Sequence, residues 1–178
     1  EYPWDTMSSK NKRAKRRQRK LQTLLQRLSF GPINMRGSIQ NADTGKKNVF
    51  VICHDASRTG APILGLNIAA ELRNKYNVLT ILLNSGDIYE DFVQHSDAVV
   101  LHYNDRRIKT SFPILLTRLL KQSDFEFAIV NSLASRAVLP ALAAAGIPTV
   151  LLVHEFASYI ANKDEIRTAV NLAHKTIF

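Results

Sequence analysis

The chain has 178 residues, 46% of them hydrophobic, enough for one globular core and a tail. Its formal charge of +9 is unevenly spread: residues 1–47 hold 12 Lys/Arg against 3 Asp/Glu, whereas residues 48–178 hold 12 of each. The excess basic charge therefore marks a tail and does not make the whole chain a nucleic-acid binder. The lone cysteine, Cys53, excludes an intrachain disulfide and a cysteine-based zinc cluster.

Residues 10–20 form a nearly unbroken basic run leading into Leu21, Leu24, Leu25 and Leu28. That i, i+3, i+4, i+7 spacing is one face of a helix, predicted over residues 10–29 and ended by Gly31-Pro32. A leucine stripe edged by Lys and Arg suits an interfacial helix on anionic lipid. It suits equally a helix packed on another domain of a longer enzyme. Nucleic acid is set aside, because no aromatics interleave the charges for base stacking. Residues 31–47, rich in Gly, Asn, Ser and Lys, read as a linker. No apolar run approaches the roughly 20 residues of a membrane-crossing helix, and no signal-peptide pattern opens the chain. A cytoplasmic setting is expected, with residues 10–30 at the inner face of the membrane as one use of the tail.

From Asn48 short apolar runs alternate with helical stretches, the pattern of repeated βαβ units. Strands are predicted at 49–53, 77–83, 98–101, 127–130, 149–153 and 176–178. Helices are predicted at 62–75, 88–95, 111–122, 135–145 and 164–174. The strand runs are apolar throughout, as in sheets covered on both faces. Right-handed crossovers then give an α/β, doubly wound, mostly parallel Rossmann-like sheet over residues 48–178. Pro62 fits a first helical turn, and Gly146 stands where a left-handed helix end is wanted. Breaking off at the start of a sixth strand, the chain reads as part of a larger molecule.

Ligands of such sheets bind beyond the carboxyl ends of the strands. The turns there are polar: His54-Asp55-Ala56-Ser57-Arg58-Thr59-Gly60, Asn84-Ser85-Gly86-Asp87, His102-Tyr103-Asn104, Asn131-Ser132 and His154-Glu155. In the first, Ser57, Thr59 and Gly60 lead into a helix N-terminus, whose N–H groups and dipole favour an anion. A polar turn with an ordinary cap explains the same residues equally well. The turn carries neither G-x-G-x-x-G nor G-x-x-x-x-G-K-[ST]. His154, directly after a strand, could be a general base, a hydrogen-bond donor to a developing oxyanion, or structural. His54 reads as a structural polar anchor, and His95 and His174 as surface residues.

The stretch Val51-Ile52-Cys53-His54-Asp55-Ala56-Ser57-Arg58-Thr59-Gly60-Ala61-Pro62, before an apolar helix, resembles the opening segment of bacterial retaining glycosyltransferases with the two-Rossmann-domain GT-B fold (the family-4-like group). Val150-Leu151-Leu152-Val153-His154-Glu155 is similar to a later segment of the same N-terminal domain, and Asn131-Ser132 fits too. The resemblance covers residues 48–178 and leaves 1–47 aside. It implies transfer of a sugar from a nucleoside-diphosphate sugar to a saccharide or lipid-linked acceptor hydroxyl, in polysaccharide assembly, with no metal or other cofactor. It places Thr59, Gly60 and Ala61 at the donor diphosphate and His154, as the catalytic residue, near the transferred sugar. Asp55, Ser57, Arg58, Asn131, Ser132 and Glu155 become cleft or acceptor candidates. The C-terminal Rossmann domain that supplies most of the nucleotide pocket is missing from these residues, so this chain alone is expected to be inactive.

The rival reading is a non-catalytic Rossmann-like binding or regulatory module with a membrane- or partner-binding basic helix. A receiver domain would want a Lys where His154-Glu155 stands, and a serine hydrolase would need a G-x-S-x-G elbow. Asp55 and Glu155 could supply a glycosidase's carboxylates, but the anion-binding turn would then have no purpose.

Overall fold

A computed structural model describes residues 34–39, 42–102, 108–154 and 163–178. The predicted basic helix and Glu155 lie outside the described residues. Seven strands form one sheet: β1 (Met35–Gly37), β2 (Lys47–Cys53), β3 (Tyr76–Leu82), β4 (Ala98–Leu101), β5 (Phe125–Asn131), β6 (Thr149–Leu152) and β7 (Lys175–Ile177). Their order is β1-β4-β3-β2-β5-β6-β7. Only β1 runs antiparallel, against β4; the other neighbours are parallel. Leaving β1 aside, the six parallel strands stand third, second, first, fourth, fifth, sixth, the doubly wound Rossmann order.

The helices are α1 (Gly60–Leu72), α2 (Tyr89–His95), α3 (Ile108–Leu120), α4 (Leu139–Ala144) and α5 (Lys163–Leu172), with a 3-10 turn at Leu133–Val138. Helix α1 packs against α2, while α3, the 3-10 turn, α4 and α5 make a second group. Because the strand order reverses direction at β2, right-handed crossovers put the two groups on opposite faces. Val49, Val51 and Cys53 of β2 join Ala69 of α1 and Phe92 of α2 in one core cluster. Phe50 and Ile52, alternating with them along the strand, are also fully buried. Burial on both faces explains the unbroken apolar run.

Two expectations change. The predicted helix 135–145 is a 3-10 turn followed by α4, with Pro140 in the first turn of α4. Pro140 has no N–H to offer the Arg136 carbonyl, so an α ladder cannot run through this stretch. The predicted linker also contributes to the sheet. Met35 pairs with Val100 and Gly37 with Ala98. Gly37 has φ +79°, and a Cβ there would collide with the Asp97 carbonyl. Buried Asn77 donates to the Asp43 carbonyl at 2.8 Å and to Asn48 Oδ1 at 3.0 Å, tying the following segment to β3. The compact unit runs from Asn34 to Phe178.

Candidate functional site

Strands β2 and β5 are neighbours, yet the connections from their carboxyl ends run to α1 on one face and to the 3-10 turn on the other. Such a switch point opens a crevice. Three predicted site segments meet there. His154, just past β6, places Nε2 2.7 Å from Oδ1 of Asn131 at the end of β5. The Asn131 amide Nδ2 donates to the Ala61 carbonyl in the first turn of α1 at 2.6 Å. A continuous hydrogen-bond chain thus joins β6, β5 and α1.

The first loop is organised around Asp55. Its Oδ1 accepts from the Ser57 N–H at 3.1 Å and from Ser57 Oγ at 2.9 Å, an Asx turn. Ser57 Oγ lies 3.0 Å from Thr59 Oγ1. Asp55 and Ser57 therefore bond one another within the turn, which gives them a local structural task. Thr59 is the N-cap of α1 with an extended backbone, and its side chain caps no N–H. First-turn donors are thus not capped by the residue best placed to do so, as an anion-binding helix start requires. Arg58, Thr59 and Gly60 are all exposed. Gly60 does not have positive φ, so no unusual backbone angle demands glycine here. A Cβ on it would meet nothing within 4 Å, and the space over the helix start is open. Ile63 and Leu64, 38% and 40% exposed, add an apolar patch to the same turn.

Behind the crevice the packing is tight. Helix α1 approaches β2 and β5 so closely that a Cβ on Gly65 would fall 2.8 Å from Asn131 Nδ2, and nearer still to Cys53 Sγ. Burial pushes the Cys53 thiol up to about 12, although the Asn131 hydrogen bond acts the other way. The thiol stays protonated and inert at neutral pH. Ser132, buried at the end of β5, has φ 78° and ψ 145°. It is the only non-glycine residue with positive φ among the described residues. Its Oγ accepts from the Ala134 N–H at 3.0 Å, and its own N–H donates to the Leu152 carbonyl at 3.0 Å. Such strain costs about 1–3 kcal/mol and collects at functional sites.

Other predicted residues have structural surroundings. His54 Nε2 is 3.5 Å from Asp55 Oδ2, while its Nδ1 is buried with no partner among the described residues. His102 Nε2 meets Ser111 Oγ at 3.0 Å, with its ring edge-on to Phe112. His95 bonds the Asp91 carbonyl of its own helix, and exposed His174 accepts from the Thr149 N–H. A groove of about 430 Å³ lies between the start of α3, the 3-10 turn and α5, lined in part by Lys109, Arg136, Asp164 and Glu165. Arg136 and Glu165 are ion-paired across it, and Arg136 also donates to the Leu133 carbonyl at 3.1 Å. Gly65, Ser132 strain and Arg136 were not singled out from sequence. An isolated Gly inside the apolar α1 pattern was the one available signal, since it marks a close backbone approach.

No protein-family model matches the chain, and no curated protein matches it.

Proposed function

We propose that residues 48–178 are the N-terminal, acceptor-side half of a retaining GT-B glycosyltransferase. It moves a sugar from a nucleoside-diphosphate sugar to an acceptor hydroxyl in glycan assembly. The observation that carries this reading is the start of α1 at the switch point. Its first turn is uncapped by Thr59 and open above Gly60, and it is hydrogen-bonded through Asn131 to His154.

The departing group in such a transfer is a diphosphate, which leaves with the electron pair of its bond to the anomeric carbon. Amides of Gly60 and Ala61, the α1 dipole and Arg58 suit that developing charge. In this reading His154 acts beside the transferred sugar as a base or hydrogen-bonding group. The exposed Ile63 and Leu64 favour an acceptor with an apolar part, as in a lipid-linked saccharide. The nucleotide itself would be held largely by a C-terminal Rossmann domain of the same enzyme, and the reading needs no cofactor. Among the described residues no helix is long and apolar enough to cross a membrane; attachment to an anionic surface through residues 10–30 is part of the proposal.

The test is transfer by the complete protein containing this chain, assayed with a panel of nucleoside-diphosphate sugars. Release of nucleoside diphosphate with a product of retained anomeric configuration is the expected result. Binding of such donors without transfer would favour the regulatory-module reading, and inversion at the anomeric carbon would remove the retaining assignment.

A further inference from the structure

The crevice is crossed by one fully buried amide, that of Asn131. Its orientation follows from its partners. The Ala61 carbonyl can only accept, so the amide atom 2.6 Å from it must be Nδ2. The second Nδ2 hydrogen has Cys53 Sγ at 3.7 Å as a weak acceptor. Oδ1 is therefore the atom facing His154 Nε2 at 2.7 Å, and an amide oxygen cannot donate. The proton in that bond must belong to the histidine. Turning the amide over would set Oδ1 against the Ala61 carbonyl, two acceptors with no proton to share, and stripping the buried amide of that donated bond costs about 1–3 kcal/mol. The wall at Gly65 leaves little room for the amide to move elsewhere.

We infer that Asn131 is the positioning residue of this edge: pinned by the Ala61 carbonyl, its amide holds the His154 ring with Nε2 as the proton-bearing nitrogen and ties that ring to the first turn of α1. In a neutral ring the lone pair then sits on Nδ1, and the two ring nitrogens cannot exchange roles by flipping. A ligand that shifts the start of α1 moves Ala61 and is felt at His154 through two hydrogen bonds. The orientation of the ring stands without the glycosyl-transfer reading; its consequence for turnover rests on that reading.

Nitrogen-15 NMR of the histidine rings tests the assignment on the chain itself. In the wild type the His154 Nε2 proton should be visible, slow to exchange with water, and close in space to the Asn131 side-chain amide protons. Asn131→Leu has the same number of heavy atoms but no amide. It should speed exchange of that proton about tenfold or more, the equivalent of one lost hydrogen bond. The His102 ring, bonded to Ser111, should not change and reports that the fold persists. An unprotonated Nε2 in the wild type, or unchanged exchange in folded Asn131→Leu, overturns the inference. If Asn131→Leu does not fold, the wild-type spectrum alone decides. In the complete enzyme Asn131→Leu should lower kcat more than it raises KM. Failure of wild-type transfer would sink the glycosyl-transfer reading while leaving the NMR result intact.

Discussion

Ser132 and the two glycines of α1 show how differently single residues at one sheet edge respond to change. At Ser132 glycine relieves the positive φ but loses the bond that the Ala134 N–H donates to Oγ, whereas alanine loses the same bond and keeps the strain. Ser132→Ala should therefore be less stable than Ser132→Gly by about 1 kcal/mol, the reverse of the usual order of the two residues. Thermal melts of the pair decide it. Gly65→Ala forces a methyl against Cys53 and Asn131 and should cost about 1–3 kcal/mol. Gly60→Val meets only open space, so its melting temperature should stay near wild type. Burial pushes the native Cys53 thiol up to about 12 from an ordinary value of 9.0. Between those values the unfolded chain releases the thiol proton and the native one keeps it. Stability should thus be unaffected by this group below pH 9 and fall as pH rises toward 12. Denaturant unfolding of wild type against Cys53→Ala should isolate that slope.

Elements were legible where they depend on near neighbours. The strands stood out because both faces are covered, and β4 matches its predicted bounds of 98–101. Gly146 has the left-handed backbone, φ +69°, that its place after α4 demanded. Gly146→Ala should cost about 1–2 kcal/mol for that reason, measurable by chemical unfolding. Residues 31–47 misled because their Gly, Asn and Ser content is that of a linker. What orders 42–46 and β1 comes from far along the chain: the Asn77 amide, the Asp97 carbonyl and the backbone of β4. Within the candidate site the loops could be found from sequence, but their wiring could not. Asn131 meets partners 70 residues before it and 23 after it, and neither bond leaves a local signature. Nor could local composition show that Asp55 and Ser57 satisfy each other, or that Gly60 needs no special angle.

On the scale of the molecule, a parallel sheet in the third-second-first-fourth-fifth-sixth order puts its crevice between β2 and β5 whatever the ligand. The proposal that this crevice serves sugar transfer adds the helix start, Arg58 and His154 to that geometry. The basic tail adds a separate expectation from sequence alone. If its leucine stripe faces lipid, residues 1–47 should bind anionic vesicles but not neutral ones, and lose that binding as salt rises. Equal binding to both would remove the electrostatic part, and binding to neither would leave the helix to pack on protein.

The most direct measurement of the central claim is steady-state kinetics of Gly60→Val and His154→Ala in the complete protein, each paired with a thermal melt. Gly60→Val should keep its melting temperature yet lose most transfer activity, because the new side chain stands where a diphosphate would approach the α1 amides. His154→Ala should lose kcat with donor affinity little changed, as expected for a group acting on the reacting sugar. Near-wild-type transfer by Gly60→Val would show that the start of α1 is only a turn, and would contradict the assignment of this edge.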